Sequence, residues 1–359
     1  MHQQRKSEHI RINLEQDVGF KRTSAGFDRY RLLHRALPGL DLNVIDTSTL
    51  LIGKQLAAPL IISAMTGGTP EAQVINRRLA EAAQYAGISM GVGSQRAAIE
   101  DPSLSDTYRV RHVAPDILLL ANLGAVQLNY GYGLDECRRA VRMIQADALV
   151  LHLNALQEAL QAEGNTRFEG LLAKIERVCR ELEVPVIVKE VGWGISEEVA
   201  RQLADAGVAA IDVAGAGGSS WSQVEMHRAP TDRQRAVASA FADWGIPTVE
   251  SLQMVRRAAP TVPAVASGGI RTGIQIAKAI ALGAVACGIA APFLRAASES
   301  TSAVVDLILV LVDQLRTAMF AAGVRDVPAL QNARVLCSAD SDGPPQHPPM
   351  SERLETGSG

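Results

Sequence analysis

Short, continuous apolar runs recur along the middle of this chain. Each is followed by a polar or glycine-rich turn and then by a segment with apolar residues at helical spacing. The runs are Ala58–Ala64, Ile88–Val92, Ile117–Ala121, Ala148–Leu153, Val186–Glu190, Ala210–Ala214, Pro263–Ala266 and Ala284–Ile289. Helical segments are predicted near Pro70–Tyr85, Leu134–Gln145, Phe168–Leu182, Ser196–Ala206, Asp232–Asp243 and Gln275–Leu282. A strand without polar alternation is buried on both faces, and strands alternating with helices build a parallel sheet. Eight such units predict closure into an α/β (β/α)8 TIM barrel. An open doubly wound sheet is the alternative, but it does not usually place polar or glycine-rich chemistry after every strand, as this chain does.

The pattern changes at both ends. Residues 1–54 read as an N-terminal extension: a polar arm (RKSEHIRINLEQDV), a short helix over Phe27–Leu37 ended by Pro38-Gly39, and an alternating stretch, Leu40–Ile52, that predicts a β-hairpin covering one end of the barrel. The barrel proper is expected over 55–322 and a C-terminal segment, with a short helix over Val324–Leu336, at 323–337. Residues 338–359 are polar and rich in Pro and Gly, which predicts a disordered tail.

Composition narrows the class. The chain has 359 residues, 47% apolar and 20% charged, with a formal net charge of −3. Nothing there favours nucleic acid or a membrane surface, so an anionic ligand needs a local cluster of positive groups. The N-terminus has no apolar core of a signal peptide, and the most apolar helix, Ala303–Leu315, carries Asp306 and Asp313 and is too short to span a bilayer. Cys137, Cys179, Cys287 and Cys337 form no CxxC pair and fit reduced thiols in a cytoplasmic protein.

The candidate chemistry sits at strand ends. Ser267-Gly268-Gly269-Ile270-Arg271 after the seventh strand and Ala290-Ala291-Pro292 after the eighth make a pair of turns at which backbone and helix N-termini can meet a cofactor phosphate. After the fourth strand, His152 and Asn154 share one side of the chain, with Gln157 and Glu158 just beyond. One carboxylate beside neutral amides suits Mg²⁺ completed by substrate phosphate oxygens, or else begins a solvated helix. Lys189, inside an apolar strand, calls for an anion: a Schiff-base role, the electron-rich edge of a reduced flavin, or an ion pair with Glu190 or another barrel residue. Ser94-Gln95-Arg96 offers a hydroxyl, an amide and a phosphate-binding guanidinium, unless Arg96 pairs with Glu100 or Asp101. Arg5, Lys6 and His9 form either a phosphate-binding arm or a solvated basic tail. The turn after strand six, GAGGSSW, holds neither a Cys nor a His-Gly-Arg run, and no GxGxxG follows strand one.

Taken in order, Arg5-Lys6-x-x-His9, Met65-Thr66-Gly67-Gly68, Ser94-Gln95-Arg96, Asn122-Leu123-Gly124, His152-x-Asn154-x-x-Gln157-Glu158, Lys189-Glu190-Val191-Gly192 and Ser267-Gly268-Gly269-Ile270-Arg271-x-Gly273 resemble the type 2 isopentenyl diphosphate isomerases, over about residues 5 to 336. The resemblance implies an FMN-dependent barrel that interconverts isopentenyl and dimethylallyl diphosphate by an allylic 1,3-proton shift in isoprenoid biosynthesis. It implies reduction of the FMN by NADPH without net redox change, and protons given and taken by the reduced flavin, supported by Lys189, His152 and Gln157. Ala64, Met65, Thr66, Ser94, Asn122 and Lys189 would contact FMN, with Ser219, Gly268, Gly269, Ile270, Arg271, Ala290 and Ala291 at its phosphate. Arg5, Lys6, Ser94, Gln95, Arg96, His152, Asn154 and Gln157 would hold the substrate, Glu158 would bind Mg²⁺, and Arg5, Lys6, Arg96, His152 and Mg²⁺ would supply the positive charge that a diphosphate needs. A homo-oligomer, tetramer or octamer, is also implied. The chain departs from the pattern at Ser219, where the family has Thr; the hydroxyl is kept. The competing expectations are a flavin barrel of another class, a dehydrogenase or oxidase, and a flavin- or phosphate-binding sensor without turnover.

Overall fold

The computed structural model describes residues 2–332 and 335–338. Eight parallel strands are present: β1 Leu60–Ile62, β2 Ser89–Gly91, β3 Leu119–Gly124, β4 Ala148–Leu153, β5 Val186–Glu190, β6 Ala210–Asp212, β7 Ala264–Ser267 and β8 Ala286–Ile289. They pair in sequence order, and β8 returns to β1 through Gly288 opposite Ile61, closing the barrel. The apolar runs are buried as their lack of alternation requires, and the strand residues that come partly to the surface, His152, Leu153, Lys189 and Glu190, stand at the C-terminal ends of β4 and β5. Helices start and stop where the chain provides caps. Helix Pro70–Ala86, for instance, has Thr69 Oγ1 accepting from Ala72 N–H, Pro in its first turn, and left-handed Gly87 at its end.

The expected hairpin is narrower than Leu40–Ile52: Thr49–Leu51 pairs with Lys54–Leu56 around Ile52-Gly53, both at positive φ. It closes the N-terminal end of the barrel. Leu51 and Leu56 pack among Ile61, Leu118, Leu120, Val150, Ile187 and Val265, and Lys54 donates to Ile117 O at 2.9 Å. Burying each leucine contributes about 1.5–3 kcal/mol.

Four expectations are corrected. Phe27–Leu37 is not a helix. After one short turn, Tyr30–Leu32 pairs antiparallel with Leu336–Ser338, a partner some three hundred residues away that local pattern cannot show. For the same reason Val324–Leu336 is not one helix; Val327–Asn332 is helical and the chain then enters that ribbon. Asp232–Asp243 is helical only to Ser239, is preceded by helix Trp221–Arg228, and is followed by helix Thr248–Ala258. The polar arm is helix α1, His2–Glu15, with Ile10 and Ile12 buried against the body. The tail expected from 338 onward lies outside the described residues except Ser338, which is in the ribbon. Among the described residues no helix is long and apolar enough to cross a membrane.

Candidate functional site

The strand ends open into a cavity of about 870 Å³, roofed on one side by α1. Two halves can be distinguished by their chemistry.

The first half is built from backbone. Gly268 and Gly269 hold φ of +102° and +75°, and a Cβ on Gly268 would stand 2.1 Å from Gly215 O. Gly218 packs as tightly: a Cβ there would meet Gly269 N at 2.6 Å. Only glycine permits this contact of the turns after β6 and β7. Ser219, Ile270, Arg271, Ala290 and Ala291 line the same end of the cavity, where helices Gly273–Ala281 and Ala291–Glu299 begin. Ala64, Met65, Thr66, Ser94, Asn122 and Lys189 continue the lining. Thr66 Oγ1 is buried there without a hydrogen-bond partner.

Lys189 reaches up from β5. Its Nζ donates to Glu190 O at 2.9 Å and lies 3.4 Å from Asp212 Oδ2, a residue of β6 that the sequence did not single out. Of the two ion pairs open to it, Lys189 therefore makes the one across the strands. The Glu190 carboxylate is turned elsewhere, accepting from the N–H groups of Val191, Gly192 and Trp193 at 2.7, 2.7 and 2.6 Å. Burial pushes its carboxyl up to about 7 against those donors.

The second half is polar and charged. Helix α1 lays Arg5 and Lys6 into the cavity, so the arm is already seated. Arg5 donates to Gln161 Oε1 at 3.1 Å, and Lys6 Nζ lies 3.4 Å from Ser94 O. Burial, with Arg5 as a like charge, draws Lys6 down to about 8. Burial also lowers Arg5 from its ordinary value, opposed by Glu158. Arg96 does pair with Glu100, at 2.8 Å, and its other arm donates to Asn165 Oδ1 at 2.9 Å.

Asn154 Nδ2 bonds to Gln157 Oε1 at 3.2 Å and Glu158 Oε1 at 2.9 Å, while Asn165 N–H donates to Glu158 Oε2 at 2.6 Å. Glu158 is thus buried and anchored, not the start of a solvated helix. Asn154 Oδ1 is left without a partner. Gln157 donates to Glu225 Oε1 at 3.1 Å. Glu225 also faces His9 Nε2 at 3.2 Å and Arg228 at 2.6 Å, clasping α1 to helix Trp221–Arg228. Burial lowers His9, and its ring rests edge-on against Trp221.

Two sequence expectations change. Gln95 does not face the cavity: it is fully buried, its Nε2 donates to Ala140 O at 2.8 Å and its Oε1 accepts from Asn122 N–H at 3.0 Å, so its amide is spent on the barrel wall. His152 is not a positive group. Burial, then Lys6 and Lys189, draw it down to about 3, and the ring is neutral. Asp212, Gln161, Glu225 and Arg228 escaped the sequence because each acts across elements distant in the chain.

The chain matches the FMN-dependent dehydrogenase family model over residues 2–104 and 137–336. It is 54% identical over 334 residues to an isopentenyl-diphosphate delta-isomerase of a Nostoc species, covering 93% of this chain and 95% of the relative. It is 57% identical over 327 residues to the enzyme of that name from a Synechocystis species, covering 91% and 93%. Among solved structures, mandelate oxidase with (S)-4-hydroxymandelic acid superposes with a TM-score of 0.61 at 19% identity, covering 90% of this chain and 93% of that one, a likeness of fold.

Proposed function

The chain belongs to the FMN-dependent, type 2 isopentenyl-diphosphate delta-isomerase family, and from that premise we propose how its cavity divides between cofactor, substrate and metal. The enzyme interconverts isopentenyl and dimethylallyl diphosphate in isoprenoid biosynthesis, with FMN as cofactor.

FMN fits the backbone-lined half. The glycine turns and the two helix starts suit its phosphate, at Ser219, Gly268, Gly269, Ile270, Arg271, Ala290 and Ala291, and the unpartnered Thr66 Oγ1 suits a polar edge of the ring. Ala64, Met65, Ser94 and Asn122 complete the ring's bed, with Lys189 at its pyrimidine edge. When bound and reduced, the flavin supplies the acid and base for the allylic proton shift.

The remaining work falls to side chains. Arg5, Lys6 and Arg96 bind the diphosphate as a cationic cluster in a chain of net charge −3. Neutral His152 turns an acceptor Nε2 to the substrate, since Nδ1 donates to Asn122, and so meets the diphosphate through a bridging water. Ser94 and Gln157 fix the diphosphate further, whereas the free Asn154 Oδ1, an acceptor, suits the Mg²⁺ beside Glu158 or a water bound to it. Helix α1 keeps water from the isoprenyl end. Mg²⁺ fits Glu158 as a single carboxylate completed by phosphate oxygens; no group of three His, Cys, Asp or Glu suited to a metal occurs among the described residues. Reduction by NADPH and assembly into a tetramer or octamer follow from the family resemblance, and a cytoplasmic location from the cysteine pattern.

The observation that carries the substrate assignment is the convergence of Arg5, Lys6 and Arg96 on the anchored Asn154–Glu158 pair. The turn after β6 offers no base for a dehydrogenase. The experiment is isomer formation under anaerobiosis with NADPH counted: catalytic NADPH supports the assignment, and one NADPH oxidised per product overturns it.

A further inference from the structure

We propose that Asp212 is a positioning residue for the cofactor half of the site: it holds the Lys189 ammonium at the flavin edge and, by offsetting its charge, sets the reduction potential of bound FMN. The inference rests on the placement of FMN against Lys189 given above.

The geometry begins with strand register. Asp212 on β6 is the direct neighbour of Lys189 on β5 and of Val265 on β7, so one carboxylate sits between two strands whose ends line the cavity. Its two oxygens are divided between them. Oδ2 lies 3.4 Å from Lys189 Nζ; Oδ1 accepts from Ser267 Oγ at 2.5 Å and from Ala214 N–H at 3.3 Å. Because the Ser267 hydroxyl gives its proton to Asp212, its lone pairs are free to accept from Lys189 Nζ, 3.5 Å away. Lys189, Asp212 and Ser267 thereby form a closed ring of contacts. Lys189 and Ser267 line the cavity, whereas Asp212, 7% exposed, stands behind them and touches no ligand.

The consequence is electrostatic. A lone ammonium at the flavin edge would act as a full positive charge in a site of low dielectric and would favour the electron-rich reduced ring strongly. With a carboxylate at contact distance behind it, the ring meets the near end of a dipole, and the preference is smaller. A pair that served only to make a buried lysine tolerable would affect stability but leave the potential of bound flavin alone.

The test is a spectroelectrochemical titration of the FMN holoenzyme and its variants. Lys189→Met should lower the potential. Asp212→Asn should raise it, by at least a tenfold gain in the preference for reduced over oxidised FMN, which a two-electron couple reads as about 30 mV. Asp212→Ser, small enough to admit a water, should shift it the same way. In a Lys189→Met background, where there is no ammonium to hold, adding Asp212→Asn should shift the potential by less than it does in the wild type. A Lys189→Met protein that keeps its FMN at an unaltered potential overturns the placement of the flavin, and the inference with it. A shift in Lys189→Met with none in either Asp212 variant overturns the inference alone. If both single Asp212 variants fail to fold while the charge-free double variant folds and binds FMN, the carboxylate serves stability only, and the proposal is overturned.

Discussion

His152 Nδ1 lies 2.8 Å from Asn122 Oδ1, one strand end bonded to its neighbour across β3 and β4. With the amide oxygen as acceptor, the ring carries its proton on Nδ1 and turns an unprotonated Nε2 toward Gly124 and the cavity. The first prediction follows from that neutrality. The folded value is drawn down to about 3, against about 6.5 for an unfolded histidine. Between those values the unfolded chain binds a proton that the folded one does not, so stability is lost as pH falls from about 6.5 toward 3. In thermal unfolding between pH 7 and pH 5, His152→Gln should lose less Tm than the wild type. An identical loss would mean that the ring is charged in the fold.

Lys6 titrates in the opposite sense for function. On the reading proposed above its ammonium binds the diphosphate; in the free enzyme it is drawn down to about 8. The profile of kcat/KM, which reports the free enzyme, should therefore fall as pH rises through about 8. Lys6→Ala should remove that limb and lower kcat/KM by about 10- to 100-fold, the worth of one charge-assisted hydrogen bond. FMN content should not change, and a Lys6→Ala enzyme that keeps the alkaline limb would assign it elsewhere.

Glu158 offers a separable test of the metal. In Glu158→Gln, one of the two oxygens that now accept from Asn154 and from Asn165 N–H is replaced by an NH₂ facing a donor. We expect weaker Mg²⁺ activation and a stability cost of about 1–3 kcal/mol. FMN should stay bound, because the glycine turns lie at the other end of the cavity. Titration of activity with Mg²⁺ and a flavin spectrum decide the matter; a folded variant empty of FMN would show the two halves to be wrongly divided.

Glu190 separates structure from chemistry. One of its oxygens accepts three backbone N–H groups. Glu190→Gln keeps an acceptor and should unfold within about 1 kcal/mol of the wild type, whereas Glu190→Ala orphans the three donors and should lose about 3 kcal/mol or more. The sign of the pH effect can be checked as well. A carboxyl raised to about 7 contributes stability at low pH that is lost as pH rises from about 4.5 through 7. Glu190→Gln should lack that component, and chemical denaturation at several pH values measures it.

The barrel was legible because a strand buried on both faces leaves an unmistakable apolar run, and because every such run but the last, which meets Ala290-Ala291-Pro292, ended in a turn with glycine or polar residues. The glycine turns were legible for a related reason: Gly268 and Gly269 are demanded by backbone contact, and no other residue fits. What escaped was lateral or remote. Asp212 lies inside a run read as plain strand, and only the register of β5 on β6 brings it to Lys189. Glu225 is an ordinary acidic residue until helix Trp221–Arg228 meets α1. Helix α1 hid because its apolar residues are few: Ile10 and Ile12 suffice to seat it, but not to make a stripe. His152 was counted as a cation because charge at neutral pH depends on burial, which residue type does not disclose.

The hairpin seals the far end of the barrel, so the cavity opens on the side of the strand ends, over which α1 lies. On the placement proposed above, an electron donor for FMN and the diphosphate would both enter from that side. A saturating diphosphate should then slow flavin reduction while protecting the reduced enzyme from oxygen. A stock of reduced cofactor, once made, would be guarded by the turnover it supports.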